Sequence, residues 1–262
     1  MDAGAAFARE RKMRGRIPIA AQPDHVTCGA TCLHALYDLY GHPAALSDLV
    51  REVPQLPDGG GTLGVHLAIH ALHRGFEVDI YTFNLQMFDP TWFTGKVRLE
   101  ERLKLQREHK REPRLVEATD AYLDFLDMGG RLHFEDLTPD LISRLTARGP
   151  VLAGLSATYL YQSIREEPRT GVDDDVRGTP VGHFVLIEGY EPGGDGVLIA
   201  DPWQDNPLAV GRHYTVDYHR LAGAILLSIV TYDANLITIV REPPEPHRGP
   251  RSDEGSGLRE FL

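Results

Sequence analysis

Apolar residues recur along the chain with two different spacings, and the change between them separates a helical first part from a strand-rich second part. Cys32, Ala35, Leu36 and Leu39 fall on one stripe of helical period, which predicts a helix over 28–40. Thr27 is placed to cap that helix, and Gly41-His42-Pro43 to stop it. Further helices are expected over 45–51 and over 62–74, the latter ended by Gly75. The stretch 76–83 alternates and is rich in β-branched and aromatic residues, so it reads as a strand. From 84 to 133 charge dominates. Two helices, 97–111 and 115–128, flank Pro113 there and read as a helical insertion, a lid or a wall of a cleft.

A helix over 139–148 precedes Gly149-Pro150, after which strands are expected over 151–156, 183–190, 197–201, 211–216, 224–232 and 236–241. Helices first and strands later, without alternating βαβ units, indicate an α+β fold. The polar run 1–16 reads as a flexible arm and 17–241 as the folded domain containing the 84–133 insertion. The Pro-, Gly- and charge-rich run 242–262 reads as a disordered tail.

Placed on these elements, four residues acquire a chemical meaning. Cys28 opens the first helix, His183 opens one strand and Asp201 closes the next. The turn signal Glu191-Pro192-Gly193-Gly194-Asp195 pairs those two strands as an antiparallel hairpin, which brings His183 and Asp201 to one end of the sheet. Thiol nucleophiles need a thiolate, a base, a group that orients the base, and donors for an oxyanion. A helix N-terminus and a neighbouring imidazolium both favour the thiolate form. Gln22, six residues before Cys28, is placed to supply an amide donor beside the Cys28 N–H, and Gly29 to leave room for substrate. Cys32 lies a full turn further on the apolar stripe and is assigned to the core. Each residue alone is more often structural; their joint appearance carries the reading.

In Gln22 with Cys28-Gly29-Ala30, in Gly182-His183-Phe184-Val185, and in the Asp201-Pro202 that follows a strand, the chain resembles the papain-like cysteine peptidases. The resemblance is to the bacteriocin-processing (double-glycine leader) peptidase family, as a stand-alone member. Tyr40-Gly41 and Gly149-Pro150-Val151-Leu152 add to it, and Thr27 stands where relatives often carry Asp. The resemblance implies an N-terminal helical part, carrying the Cys helix, packed on a C-terminal antiparallel sheet. It also implies Cys28 as nucleophile, His183 as base, Asp201 as orienting residue and Gln22 as oxyanion donor. The implied activity is cleavage of a peptide, isopeptide or related amide bond through an acyl-thioester on Cys28. An acyl transferase built on the same residues and a non-catalytic peptide binder remain open.

Composition narrows the partners. A net charge of -11, from 27 Lys and Arg against 38 Asp and Glu, argues against a nucleic acid. No apolar run of signal-peptide or membrane-spanning length is found, and the two Cys share one helix, so no membrane partner and a reducing cytoplasmic setting are expected. No cofactor is expected. The glycine string from Gly59 to Gly64 follows two prolines rather than a strand, which speaks against dinucleotide binding. His66, His70 and His73 share a helix face without an acidic residue or Cys on that helix, so no metal is expected and a solvated or partly packed face is. Asp173-Asp174-Asp175 reads as a solvated loop, and Tyr159, Tyr161 and Trp203 as packing residues near the cleft, with groove lining as the alternative.

Overall fold

A computed structural model describes residues 16–56, 61–167 and 170–241; most of the expected arm and the whole of the expected tail lie outside these. The first part holds α1 (Cys28–Leu39), α2 (Leu46–Glu52), α3 (Gly64–His73), β1 (Glu77–Thr82), a 3-10 turn, α4 (Leu99–His109) and α5 (Pro113–Asp127). The second holds β2 (Arg131–His133), α6 (Pro139–Thr146), β3 (Val151–Ser156), α7 (Ala157–Tyr161), β4 (Gly182–Tyr190), β5 (Val197–Ala200), β6 (His213–Val216), α8 (Tyr218–Leu227) and β7 (Asn235–Val240). The α+β expectation holds, with a Cys-bearing helix packed on a largely antiparallel sheet.

Seven strands form one sheet in the order β2-β1-β7-β3-β4-β5-β6. Only the β1–β2 pair is parallel among them. Both faces are covered, and the central strands β3, β4 and β7 are buried almost throughout their length. Along β4, Phe184 and Leu186 enter a core shared with α1, α3 and α5. Val185 and Ile187 enter a second core shared with α6, α7 and α8. The 84–133 segment is tied into the first of these: Leu115, Ala118, Ala121, Tyr122 and Phe125 of α5 are all buried there. Arg107 of α4 binds Asp120 of α5 on the outside, with Nη2–Oδ2 at 2.8 Å.

Several expectations need correction. The strand expected over 224–232 is α8 followed by a 3-10 turn, Ser228–Thr231. Its Ile-Val-Thr content suggested a strand, but Asp217 caps a helix by accepting from His219 N and Arg220 N, and Leu221, Ala224 and Ile225 form the buried helical stripe. Thr27 makes no capping bond to α1; its hydroxyl exchanges 3.3 Å contacts with the Asp24 backbone instead. The short β2 and the one-turn α7, capped by Ser156 through Tyr159 N, were not foreseen.

Candidate active site

The segment ahead of α1 is fastened along the β4–β6 side of the sheet. Ile17 N donates to Glu188 Oε1 at 2.7 Å, and His213 Nε2 meets Ile17 O at 2.9 Å. Arg212 Nε donates to Ile19 O at 2.7 Å, and Gln22 N to Pro202 O at 2.9 Å. These ties deliver Gln22 and the start of α1 to the end of the sheet where β4 begins and β5 ends. The β4–β5 hairpin forms as the turn signal demands, pairing Leu186 with Ala200 and Ile187 with Ile199, with a register shift at Glu188.

His183 and Asp201 meet there, Nε2 to Oδ1 at 2.9 Å. The Cys28 side chain lies close enough to the ring to favour its protonated form. With Nε2 engaged by the carboxylate, Nδ1 is the nitrogen left for the sulfur. Exposure is low at all three: Cys28 and His183 are barely accessible at 7% and 8%, and Asp201 is at 0%.

Burial pulls the His183 imidazolium down, but the Asp201 carboxylate, the Cys28 sulfur and the hydrogen bonds to both push it up to about 10. Burial acts on Asp201 in the opposite sense, raising it. The charge and hydrogen bond of His183, the Tyr161 hydroxyl and the Trp203 amide outweigh that and hold the carboxyl below its ordinary range. Cys32 is fully buried, its Sγ 3.5 Å from Phe184 O, and burial, then Cys28 and Asp201, push its thiol up. It remains a protonated core residue, as its place on the apolar stripe suggested.

Two residues make contacts that the sequence did not foresee. The Gln22 amide is turned to its own loop, Nε2 donating to Asp24 O at 2.7 Å, while Oε1 is buried without a hydrogen-bond partner among the described residues. Gly29 serves packing rather than substrate room: a Cβ there would lie 2.7 Å from Leu67 and 3.2 Å from Thr62, so the missing side chain lets α1 close on the start of α3.

The sequence missed one group at the site and undervalued another. Tyr214 Oη donates to Asp201 Oδ2 at 2.7 Å and Tyr161 Oη to the same oxygen at 2.5 Å. Inward alternation along 211–216 was the available signal for Tyr214. Trp203 donates its backbone N–H to Asp201 Oδ1 at 2.8 Å and packs its ring edge-on to Tyr161, with centroids 5.0 Å apart. Tyr159 lies apart from these, lining a surface cleft of about 370 Å³ with Thr158, Gln162, Pro180, Leu227 and Val230.

The remaining motifs are structural. His70 meets Tyr37 Oη at 2.9 Å and Glu52 at 3.3 Å, and His66 lies 3.7 Å from Glu117. Asp174 closes a turn by accepting from Val176 N and Arg177 N, and Asp173 and Asp175 are exposed. Among the described residues, no group of three or more His, Cys, Asp or Glu is arranged to hold a metal, and no helix is long and apolar enough to cross a membrane.

The family model described as Peptidase_C39 like family matches residues 15–223. A sequence comparison with curated proteins gives no match. Among solved structures, the chain is similar to the peptidase domain of Streptococcus ComA, a bi-functional ABC transporter involved in a quorum sensing pathway. Identity there is 13% and the TM-score 0.42, over 87% of this chain and 100% of that one. It is also similar to a double glycine motif protease from an AMS/PCAT transporter in complex with the leader peptide, at 12% identity and TM-score 0.42, over 86% and 94% of the two chains.

Proposed function

The chain belongs to the Peptidase_C39 like family, and from that membership we propose that it is a cysteine hydrolase cleaving a peptide, isopeptide or related amide bond, with Cys28 as nucleophile. One observation carries the reading: a single imidazole, His183, held at 2.9 Å by a carboxylate with no solvent exposure and close enough to the Cys28 side chain for that sulfur to favour its protonated form.

In this reading the Cys28 sulfur attacks the carbonyl carbon and the carbonyl π electrons move to oxygen. The Cys28 N–H at the first turn of α1 is one donor for that oxyanion. Gln22 is the other, its amide turning from Asp24 O as substrate enters, since such contacts commonly tighten only in the complex. Collapse of the adduct breaks the C–N bond, and His183 passes its Nδ1 proton to the departing amine. Water, deprotonated by the now neutral ring, cleaves the thioester and restores Cys28. Asp201 keeps the ring oriented throughout, and charged until its proton passes to the amine.

The test is the rate of Cys28 modification by iodoacetamide as a function of pH, in the natural chain and in His183→Ala. A Cys28 that reacts rapidly at about pH 6, and slows in His183→Ala, is the expected result. A rate that climbs only through about pH 8.5 in both proteins, as a free thiol does, contradicts the proposal.

A further inference from the structure

We infer that Tyr161 and Tyr214 are positioning residues of this site, together locking Asp201 as an anion with Oδ1 turned to His183. The inference rests on the catalytic reading above and adds two residues from elements that carry none of Cys28, His183 or Asp201. Tyr161 ends α7, and Gln162 beyond it adopts φ 56°, turning the chain away at once. Tyr214 lies in β6 opposite Ile199, two residues before Asp201.

The hydroxyls reach Asp201 Oδ2 at 2.5 and 2.7 Å, while Oδ1 accepts from His183 Nε2 at 2.9 Å and Trp203 N at 2.8 Å. A carboxylate offers about four lone-pair sites, and every one of them here faces a donor. A proton on either oxygen would have to displace a donor to find room. Both tyrosines are buried, at 6% and 5% exposure. Burial first, and then Asp201, push the ionisation of both up, with Tyr214 adding to the rise at Tyr161, so both stay donors at neutral pH. Tyr161 is held in place by the Trp203 ring and lies 6.1 Å from the His183 ring centroid. With four donors in place the carboxylate can neither rotate nor take up a proton, and the His183 Nε2–H keeps a fixed acceptor. Removal of the phenols leaves a buried carboxylate short of donors, which binds a proton more readily.

The experiment follows the His183 Nε2–H resonance by ¹⁵N-edited NMR from neutral pH downward, in the natural chain, Tyr161→Phe, Tyr214→Phe and the double variant. The pH at which the hydrogen-bonded signal is lost should move up by about one unit in each single variant and further in the double. Phenylalanine keeps the rings, and urea unfolding of the same samples confirms the folded state; a double variant that does not fold leaves the decision to the two singles. Unchanged midpoints in folded variants overturn the inference, whatever the loss of stability, because they leave the tyrosines as packing residues. The signal requires no turnover, and iodoacetamide labelling of the same samples separates the two ideas. An inert natural Cys28 contradicts catalysis, whereas a reactive Cys28 beside an unmoved midpoint contradicts only the role of the tyrosines.

Discussion

Two places in the molecule assemble the same three parts, a polar hydrogen-bearing group, an imidazole and a carboxylate, and only one of them makes the imidazole basic. Near the C-terminal end of α1, His70 lies between Tyr37 Oη at 2.9 Å and Glu52 Oε2 at 3.3 Å. At the N-terminal end of α1, His183 lies beside Cys28 and binds Asp201. The rings are almost equally covered, with 11% and 7% of their side chains exposed. The carboxylates differ: Glu52 is 47% exposed and Asp201 is at 0%. Water screens Glu52, so burial, with the nearby charges of Arg74 and His73 adding to it, wins at His70 and lowers it below the ordinary value. Asp201 is unscreened and saturated with donors, so its attraction exceeds the cost of burial and His183 rises. The difference teaches that a His beside an acid becomes a charged ring only when the acid is itself buried and kept anionic.

Matched substitutions at the two sites sharpen that contrast. The largest effect is expected from His183→Ala, a loss of turnover on the order of 10⁴-fold or more, against less than about twofold for His70→Ala. Steady-state kinetics on a substrate trapped with Cys28→Ala measures both. Asp201→Asn is next, expected to cost about 10²- to 10⁴-fold with the fold retained, while Glu52→Gln leaves turnover unchanged. Equal losses at Asp201 and Glu52 would erase the distinction. Gln22→Ala is expected to lower kcat by about 10²- to 10³-fold with little change in KM, because in the proposed mechanism its amide meets the oxyanion only in the transition state.

The smallest effect is on stability. His183 is raised from 6.5 to about 10 by folding, so its contribution is complete below 6.5 and disappears as pH rises through about 10. Asp201 is lowered from 3.8, so its contribution is present above 3.8 and is lost as pH falls through its folded value. His70 is lowered from 6.5, so it favours the folded state above 6.5 and loses that contribution as pH falls. Thermal melting across pH should therefore show an alkaline decline that His183→Gln removes and His70→Gln does not.

How much of this was legible in the sequence follows from which forces are local. The meeting of His183 with Asp201 was readable because a short Pro- and Gly-containing turn and antiparallel pairing fix where strand ends meet. The α8 region was misread because its apolar, β-branched run fits either state, and only the Asp217 cap decides between them. Gly29 was given a chemical reason because its true one, the approach of Leu67, comes from another helix. Tyr161 and Tyr214 escaped for the same kind of reason: a hydroxyl partner 40 or 13 residues from Asp201 leaves no periodic trace. The sequence therefore spoke for the elements and their ends, and was silent on the contacts that saturate the buried acid.

The most direct measurement is an ¹⁵N titration of the His183 and His70 rings in the same sample of the full chain. The expected result is a His183 ring that stays protonated through neutrality and releases its proton only near pH 10, beside a His70 ring whose midpoint lies below 6.5. A His183 ring that titrates at 6.5, alongside or below His70, would contradict the claim that a buried, donor-saturated Asp201 keeps a charged imidazole against Cys28.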